Sequence, residues 1–142
     1  MKRIFLDSSV LFSGAYSPRG HSRDLLMMAI RGEINLVISD LVIEETRRNL
    51  AEHAPQAKDF LDLVLDLIPF EAVNPTRQEI VAAMEFVVLK DAAIIAAARK
   101  AGVDLLVSMD QKHILDKPEL ADYAGMPIVT PQEAMAYIKG SN

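Results

Sequence analysis

Three short apolar runs, Ile4-Phe5-Leu6, Leu36-Val37-Ile38 and Leu105-Leu106-Val107, are each bounded by polar or turn-forming residues. Such runs suit strands buried on both faces, and the longer stretches between them carry helical spacing. The pattern predicts strands at about 3–7, 35–39, 68–73, 104–108 and 127–130. It predicts helices at about 20–31, 40–53, 56–67, 76–88, 91–101 and 131–138, with a short one at 111–115. Prolines at 18, 55, 69, 75, 118, 127 and 131 fall between the periodic segments, as chain breakers should. Strands separated by helices imply an α/β fold, a mainly parallel central sheet covered on both faces in three α/β/α layers. With 142 residues, no repeat and no Gly/Ser-rich linker, the chain reads as a single domain over 1–142.

Composition then narrows the chemistry. Half the residues are apolar and a quarter are charged, as in ordinary globular proteins. Cysteine is absent, which excludes disulfides, thiolate zinc sites and cysteine nucleophiles. The N-terminus reaches Asp7 after three apolar residues, too soon for a signal-peptide core or a membrane span, so no membrane partner and a cytoplasmic location are expected. A net charge of −5 argues against a protein that coats nucleic acid nonspecifically. It leaves a nuclease open, because bound cations would cancel the charge of clustered acids where a phosphate must sit. No Gly-x-Gly-x-x-Gly and no Gly-Lys-Ser/Thr occurs, which removes dinucleotide binders and phosphate-loop ATPases. An aspartyl-phosphate phosphatase built on Asp7 would need a second Asp two residues on, and position 9 is serine.

In parallel sheets ligands bind beyond the carboxyl ends of the strands, where the strand order reverses. Three predicted strands deliver acids there. The first exits at Asp7, the second at Ser39-Asp40 into a helix carrying Glu44 and Glu45, and the 104–108 strand at Asp110. A further acid, Asp91, opens the alanine-rich helix that precedes the last of these. Converging hard oxygen donors suit Mg²⁺ or Mn²⁺. Taken singly, Asp7, Asp91 and Asp110 also suit helix N-caps. Sharing one sheet edge, they would repel one another unless a cation or proton intervened. Helical geometry separates the two glutamates. Glu45 falls roughly 110° from the centre of the Val42, Ile43, Thr46 and Leu50 stripe, at its border, whereas Glu44 lies roughly 150° away, facing solvent and Arg48 at i+4.

These segments resemble the PIN-domain nucleases, in particular the branch that includes toxins of type II toxin–antitoxin modules. The matching stretches are Ile4-Phe5-Leu6-Asp7-Ser8-Ser9-Val10-Leu11, Ser39 to Leu50, Lys90-Asp91-Ala92-Ala93-Ile94-Ile95-Ala96-Ala97-Ala98, and Val107-Ser108-Met109-Asp110. The resemblance implies a PIN-like fold and an acidic quartet of Asp7, Glu45, Asp91 and Asp110 that holds Mg²⁺ or Mn²⁺ and serves catalysis. Ser9 and Ser108 would be the hydroxyls beside the substrate. Ser9 also suits a turn or first-helix hydroxyl. Gln111-Lys112-His113 follows Asp110, so no fifth acidic ligand is expected. By the same resemblance the reaction is hydrolysis of RNA phosphodiester bonds, an antitoxin protein is an expected partner, and a homodimer is expected through helices around Leu25 and Leu63. The competing expectation is a catalytically inactive PIN-fold binding or assembly module. His21, His53 and His113 are too dispersed for a helical metal pair and read as surface residues, although His113 could touch a phosphate. With eight Phe and Tyr residues and no Trp, an extended base-stacking platform is not expected.

Overall fold

The computed structural model describes residues 1–140. Five strands form one sheet: β1 (Arg3–Leu6), β2 (Asn35–Ile38), β3 (Glu71–Ala72), β4 (Leu105–Val107) and β5 (Ile128–Val129). Their order is β3-β2-β1-β4-β5, and every neighbouring pair runs parallel. Phe5 lies in register with Val37 on one side and Leu106 on the other, and all three are fully buried. Burial of both sheet faces by helices explains why these strands are continuous apolar runs rather than alternating ones. The helices are α1 (Ser8–Tyr16), α2 (His21–Ile30), α3 (Asp40–His53), α4 (Lys58–Leu67), α5 (Arg77–Ala83), α6 (Leu89–Ala101), α7 (Pro118–Ala124) and α8 (Pro131–Gly140). They flank the sheet in the three-layer arrangement that the sequence implies. Among the described residues no helix is long and apolar enough to cross a membrane.

The chain moves outward from β1 through β2 to β3, then returns to the other side of β1 for β4 and β5. The strand order therefore reverses at β1 and β4, whose carboxyl ends face the crevice where such sheets bind ligands.

Two helices escape the hydrophobic pattern. In α1, residues Val10, Leu11, Gly14 and Ala15 share one buried face, but two of the four are small and the large apolar Phe12 lies off that face, so the hydrophobic contrast is weak. Gly14 serves close packing there: a Cβ at that position would stand 2.7 Å from Leu26 Cδ1 and 3.1 Å from the Ser22 carbonyl oxygen. The seven-residue α7 is too short to show a period and starts on Pro118, which fits the first turn because its missing N–H would be unpaired anyway. The expected strand at 68–73 contracts to the exposed pair Glu71–Ala72 at the sheet edge, beyond Pro69, which has no N–H to give a ladder. The expected helix at 76–88 ends at Ala83. Leu25, named for a dimer surface, is wholly buried, whereas Leu63 and Leu67 on α4 and Val81, Val88 and Leu89 around the α5–α6 turn are exposed.

Candidate functional site

Asp7 follows β1 directly and is buried. Its Oδ1 accepts the Val10 N–H at 3.1 Å, capping α1, and the Ser9 hydroxyl at 2.6 Å. Ser9 Oγ in turn accepts the Met109 N–H at 3.1 Å, so one hydroxyl ties together the two strand exits at the switch point. After β4, the fully buried Ser108 accepts the Asp110 N–H at 3.0 Å through its Oγ, and its side chain also hydrogen-bonds Asp7.

Asp110 caps a single π-helical turn, Gln111–Leu115, accepting the His113 N–H at 3.0 Å. The His113 ring Nδ1 stands 3.2 and 3.3 Å from the two carboxylate oxygens. Asp7 and Asp110 are thus helix caps as well as site candidates. Asp91 is not a cap: it is the third residue of α6, behind Val88 at the cap position. It is buried, and its carboxylate has no ion pair or hydrogen bond among the described residues. On α3, Glu44 faces solvent and pairs with Arg48 at 3.1 Å. Glu45 is half-buried, and its Oε1 is sealed from solvent without a hydrogen-bond partner.

Asp7, Glu45, Asp91, Asp110 and Ser9 line one open cleft of about 520 Å³. A larger groove of about 970 Å³, lined by Lys2, Met27, Met28 and Met135 among others, contains none of the four acids. Lys2 immediately precedes β1, which places that groove at the opposite end of the sheet. The cleft outweighs the larger groove as a candidate because it lies at the strand-order reversal.

Electrostatics link the four carboxyls in a ring. Burial pushes Asp7 above the usual carboxylate range; hydrogen bonds from Ser108, Ser9 and Val10 pull it back, and the Asp110 charge pushes it up again. Burial also raises Glu45, with Arg48 and Lys90 opposing and the charges of Asp7 and Asp91 adding to the rise. Asp91 is raised by burial and by Asp110, against Lys90 and His113. Asp7, Glu45 and Asp91 are therefore each disfavoured in the charged form, first by burial and further by a neighbouring acid, as expected of like charges around a shared space.

The donor set fits a hard divalent cation: all four acids offer oxygen, and the partnerless Oε1 of Glu45 is an acceptor that an ion could satisfy. The acids are not drawn together into a finished cage. Among the described residues no three Asp, Glu, His or Cys side chains are close enough to hold a metal ion. One competing contact is visible: Asp110 is turned to the His113 N–H and ring. His21 stands beside Asp24 at 3.7 Å on α2, a solvated pairing.

Phe12, Asn49, Lys90 and Met109 line the cleft without having been singled out from the sequence, and His53, expected as a surface residue, lines it as well. Asn49 and His53 follow Glu45 at i+4 and i+8 on α3, so helical spacing carried their signal. Phe12 had none, because it lies on the helix that the pattern did not reveal.

Residues 3–112 match the family described as PIN domain. A comparison with curated proteins returned no match. Among solved structures, the chain resembles PAE2754 from Pyrobaculum aerophilum at 18% identity with a TM-score of 0.68, covering 99% of this chain and 97% of that one. It resembles VapBC2 from Rickettsia felis, determined bound to a DNA fragment from their promoter, at 13% identity and a TM-score of 0.63, covering 90% and 98% respectively. A third likeness is to VapC20 of Mycobacterium tuberculosis, a Sarcin-Ricin loop cleaving toxin, at 18% identity and a TM-score of 0.57 over 77% of this chain and 91% of that one. At these identities the likenesses speak for the fold.

Proposed function

The chain belongs to the PIN domain family, and from that premise we propose that it is a divalent-metal-dependent endoribonuclease, the toxin of a type II toxin–antitoxin module. The observation that carries this reading is the convergence of Asp7, Glu45, Asp91 and Asp110, from four separate segments, on one cleft at the switch point of the sheet. Mg²⁺ or Mn²⁺ would be held by these four carboxylates. When bound, such an ion lowers the pKa of water, neutralises phosphate charge and stabilises a leaving oxygen.

The protein's own groups set the frame for that chemistry. Ser9 and Ser108 fix the Asp7 carboxylate, and Ser9 holds the β4 exit against it. Lys90 lines the cleft beside Asp91 and supplies a positive charge for a phosphate oxygen. RNA as substrate is supported by the likeness to the Sarcin-Ricin loop cleaving toxin. The complex on promoter DNA supports the search for an antitoxin partner. The competing reading, a non-catalytic assembly module, is favoured by the open spacing of the acids.

Calorimetric titration with Mn²⁺ and cleavage of RNA, each run on wild type, Asp7→Asn and Asp91→Asn, decide between the two readings. Metal affinity is expected to drop about tenfold or more in both variants, with cleavage abolished. Unchanged metal affinity in both would defeat the site, and a wild type that binds Mn²⁺ without cutting RNA would leave the assembly module.

A further inference from the structure

The cleft is larger than its acidic end. Its volume of about 520 Å³ corresponds to on the order of fifteen to twenty waters. The wall leading away from the acids comes from two helices that pack together, α1 and α3. On α3, Asn49 and His53 stand roughly 6 and 12 Å beyond Glu45 along the helix axis. On α1, Phe12 lines the same cleft. Its ring stacks on that of Tyr16, one turn further on, with centroids 5.8 Å apart and planes at 20°. Tyr16 is 54% exposed, so the pair forms a short aromatic track from the cleft to solvent.

Asn49 is solvent-exposed and its amide has no hydrogen-bond partner among the described residues. An aromatic face beside an unused amide is the pairing that recognises an unpaired nucleobase. The ring takes the base's π-face, and the amide offers both donor and acceptor to its edge. The base, unlike the phosphate, carries no charge and presents a flat apolar face, so it suits the wall beyond the acids. The phosphate, by contrast, needs Lys90 and cations.

We propose that Phe12, braced by Tyr16, and Asn49 form a base-binding subsite for the nucleotide next to the scissile phosphate, on single-stranded nucleic acid. The proposal rests on the nuclease reading for its place beside that phosphate. Phe12 and Asn49 are positioning residues in this scheme, since they touch the substrate away from the reacting atoms. The two-ring track is not an extended stacking platform; one base suffices to set the register of cutting.

The test uses a short oligoribonucleotide carrying 2-aminopurine, whose fluorescence is quenched by stacking, titrated with the protein in Ca²⁺ so that the strand is bound. Wild type is expected to quench the fluorophore. Phe12→Leu, which keeps apolar bulk and loses the ring, is expected to bind about tenfold more weakly and leave the fluorescence high. Asn49→Ala, an exposed change on α3 that spares the core, is expected to weaken binding several-fold while keeping the quench. Replacing the reporter base by an abasic ribose should cost wild type about tenfold and Phe12→Leu almost nothing. Equal affinity and equal fluorescence in wild type and Phe12→Leu would overturn the subsite, as would a wall that binds the abasic strand as tightly as the parent. Cleavage in Mn²⁺ is scored separately. Quenching without cleavage sinks the nuclease and keeps the subsite, whereas cleavage without quenching does the reverse.

Discussion

Glu45→Met makes the sharpest use of the geometry. One carboxylate oxygen of Glu45 is sealed from solvent with no partner, and Arg48 on the same helix pairs with Glu44 instead. An unsatisfied buried polar atom costs about 1–3 kcal/mol. Methionine matches the length of the glutamate side chain and removes both the charge and the orphaned acceptor. Because Glu45 is only half-buried and its other oxygen loses some hydration in the exchange, the lower part of that range applies. The metal-free variant should therefore be about 1–2 kcal/mol more stable than wild type at pH 7, or roughly 3–8 °C in melting temperature for a chain of 142 residues. Its pH profile identifies the cause. The Glu45 carboxyl is raised in the folded protein, chiefly by burial, so the native state holds more protons than the unfolded chain once pH exceeds the unfolded value of about 4.3. Wild-type stability falls as pH rises through that window and levels off above the folded pKa. The methionine variant lacks this term, so its advantage should be small below pH 4 and reach a plateau at neutral pH. Denaturant titrations in EDTA at pH 3.5, 5, 6 and 7 would show this. Added Mn²⁺ should reverse the order by stabilising wild type in proportion to ion binding. A variant less stable at pH 7, or a pH-independent difference between the two proteins, would refute the reasoning.

Two further substitutions probe the supports of the site. Ser9→Ala removes the hydroxyl that donates to Asp7 and accepts from Met109; two lost hydrogen bonds at about 0.5–1.5 kcal/mol each predict a loss of about 1–3 kcal/mol, and an unchanged urea midpoint would count against it. Gly14→Ala gains helix propensity of about 1 kcal/mol, but its Cβ meets the fully buried Leu26 and the Ser22 carbonyl. Overpacking at about 1–3 kcal/mol outweighs the gain, so a net loss near 1 kcal/mol is expected by thermal melting, and a stabilised variant would overturn the close-packing account.

The sheet was legible because its strands are buried on both faces and so read as unbroken apolar runs. Asp7, Asp110 and the choice of Glu45 over Glu44 followed from strand exits and helical angles. What the sequence hid has physical causes. The helix α1 buries one face, Val10, Leu11, Gly14 and Ala15, but half of it is glycine and alanine and Phe12 lies off it, so the stripe is faint and Phe12 and Tyr16 went unseen with it. In α6 the cause differs: Asp91 through Ala98 are all buried, so the helix was visible only by its alanine content, and its start at Leu89, two residues before Asp91, was not. The spacing of the acids was also beyond the sequence. Their order along the chain fixes which sheet edge they share, whereas their separation depends on side-chain rotamers and on local partners such as His113 for Asp110.

The same facts bear on why this cleft is built on the buried centre of the sheet. Three of its four acids resist ionisation in the folded state, chiefly through burial and in part through one another, so the arrangement works against stability at neutral pH. Such a set persists only where the surrounding backbone leaves little room to relax. Asp7 and Asp110 follow adjacent strands whose buried side chains meet in register at Leu6 and Val107. The Ser9 hydroxyl then joins the two exits across the sheet. Asp91 sits on a helix whose own residues Ala92 to Ala98 are buried all round. Glu45 comes from a half-exposed helix border and makes no hydrogen bond through its sealed oxygen, whereas the half-buried Asp110 is held by the His113 N–H and ring. Glu45 is therefore the acid with most freedom to move, and the one whose orphaned oxygen would gain most from an ion. If cation binding draws the site together, the movement should be concentrated in the Glu45 side chain while the β1 and β4 exits stay fixed. Amide hydrogen exchange with and without Mn²⁺ would detect this as protection gained in the first turns of α3 with none gained in β1 or β4. Protection rising equally in all three would place the adjustment in the sheet instead.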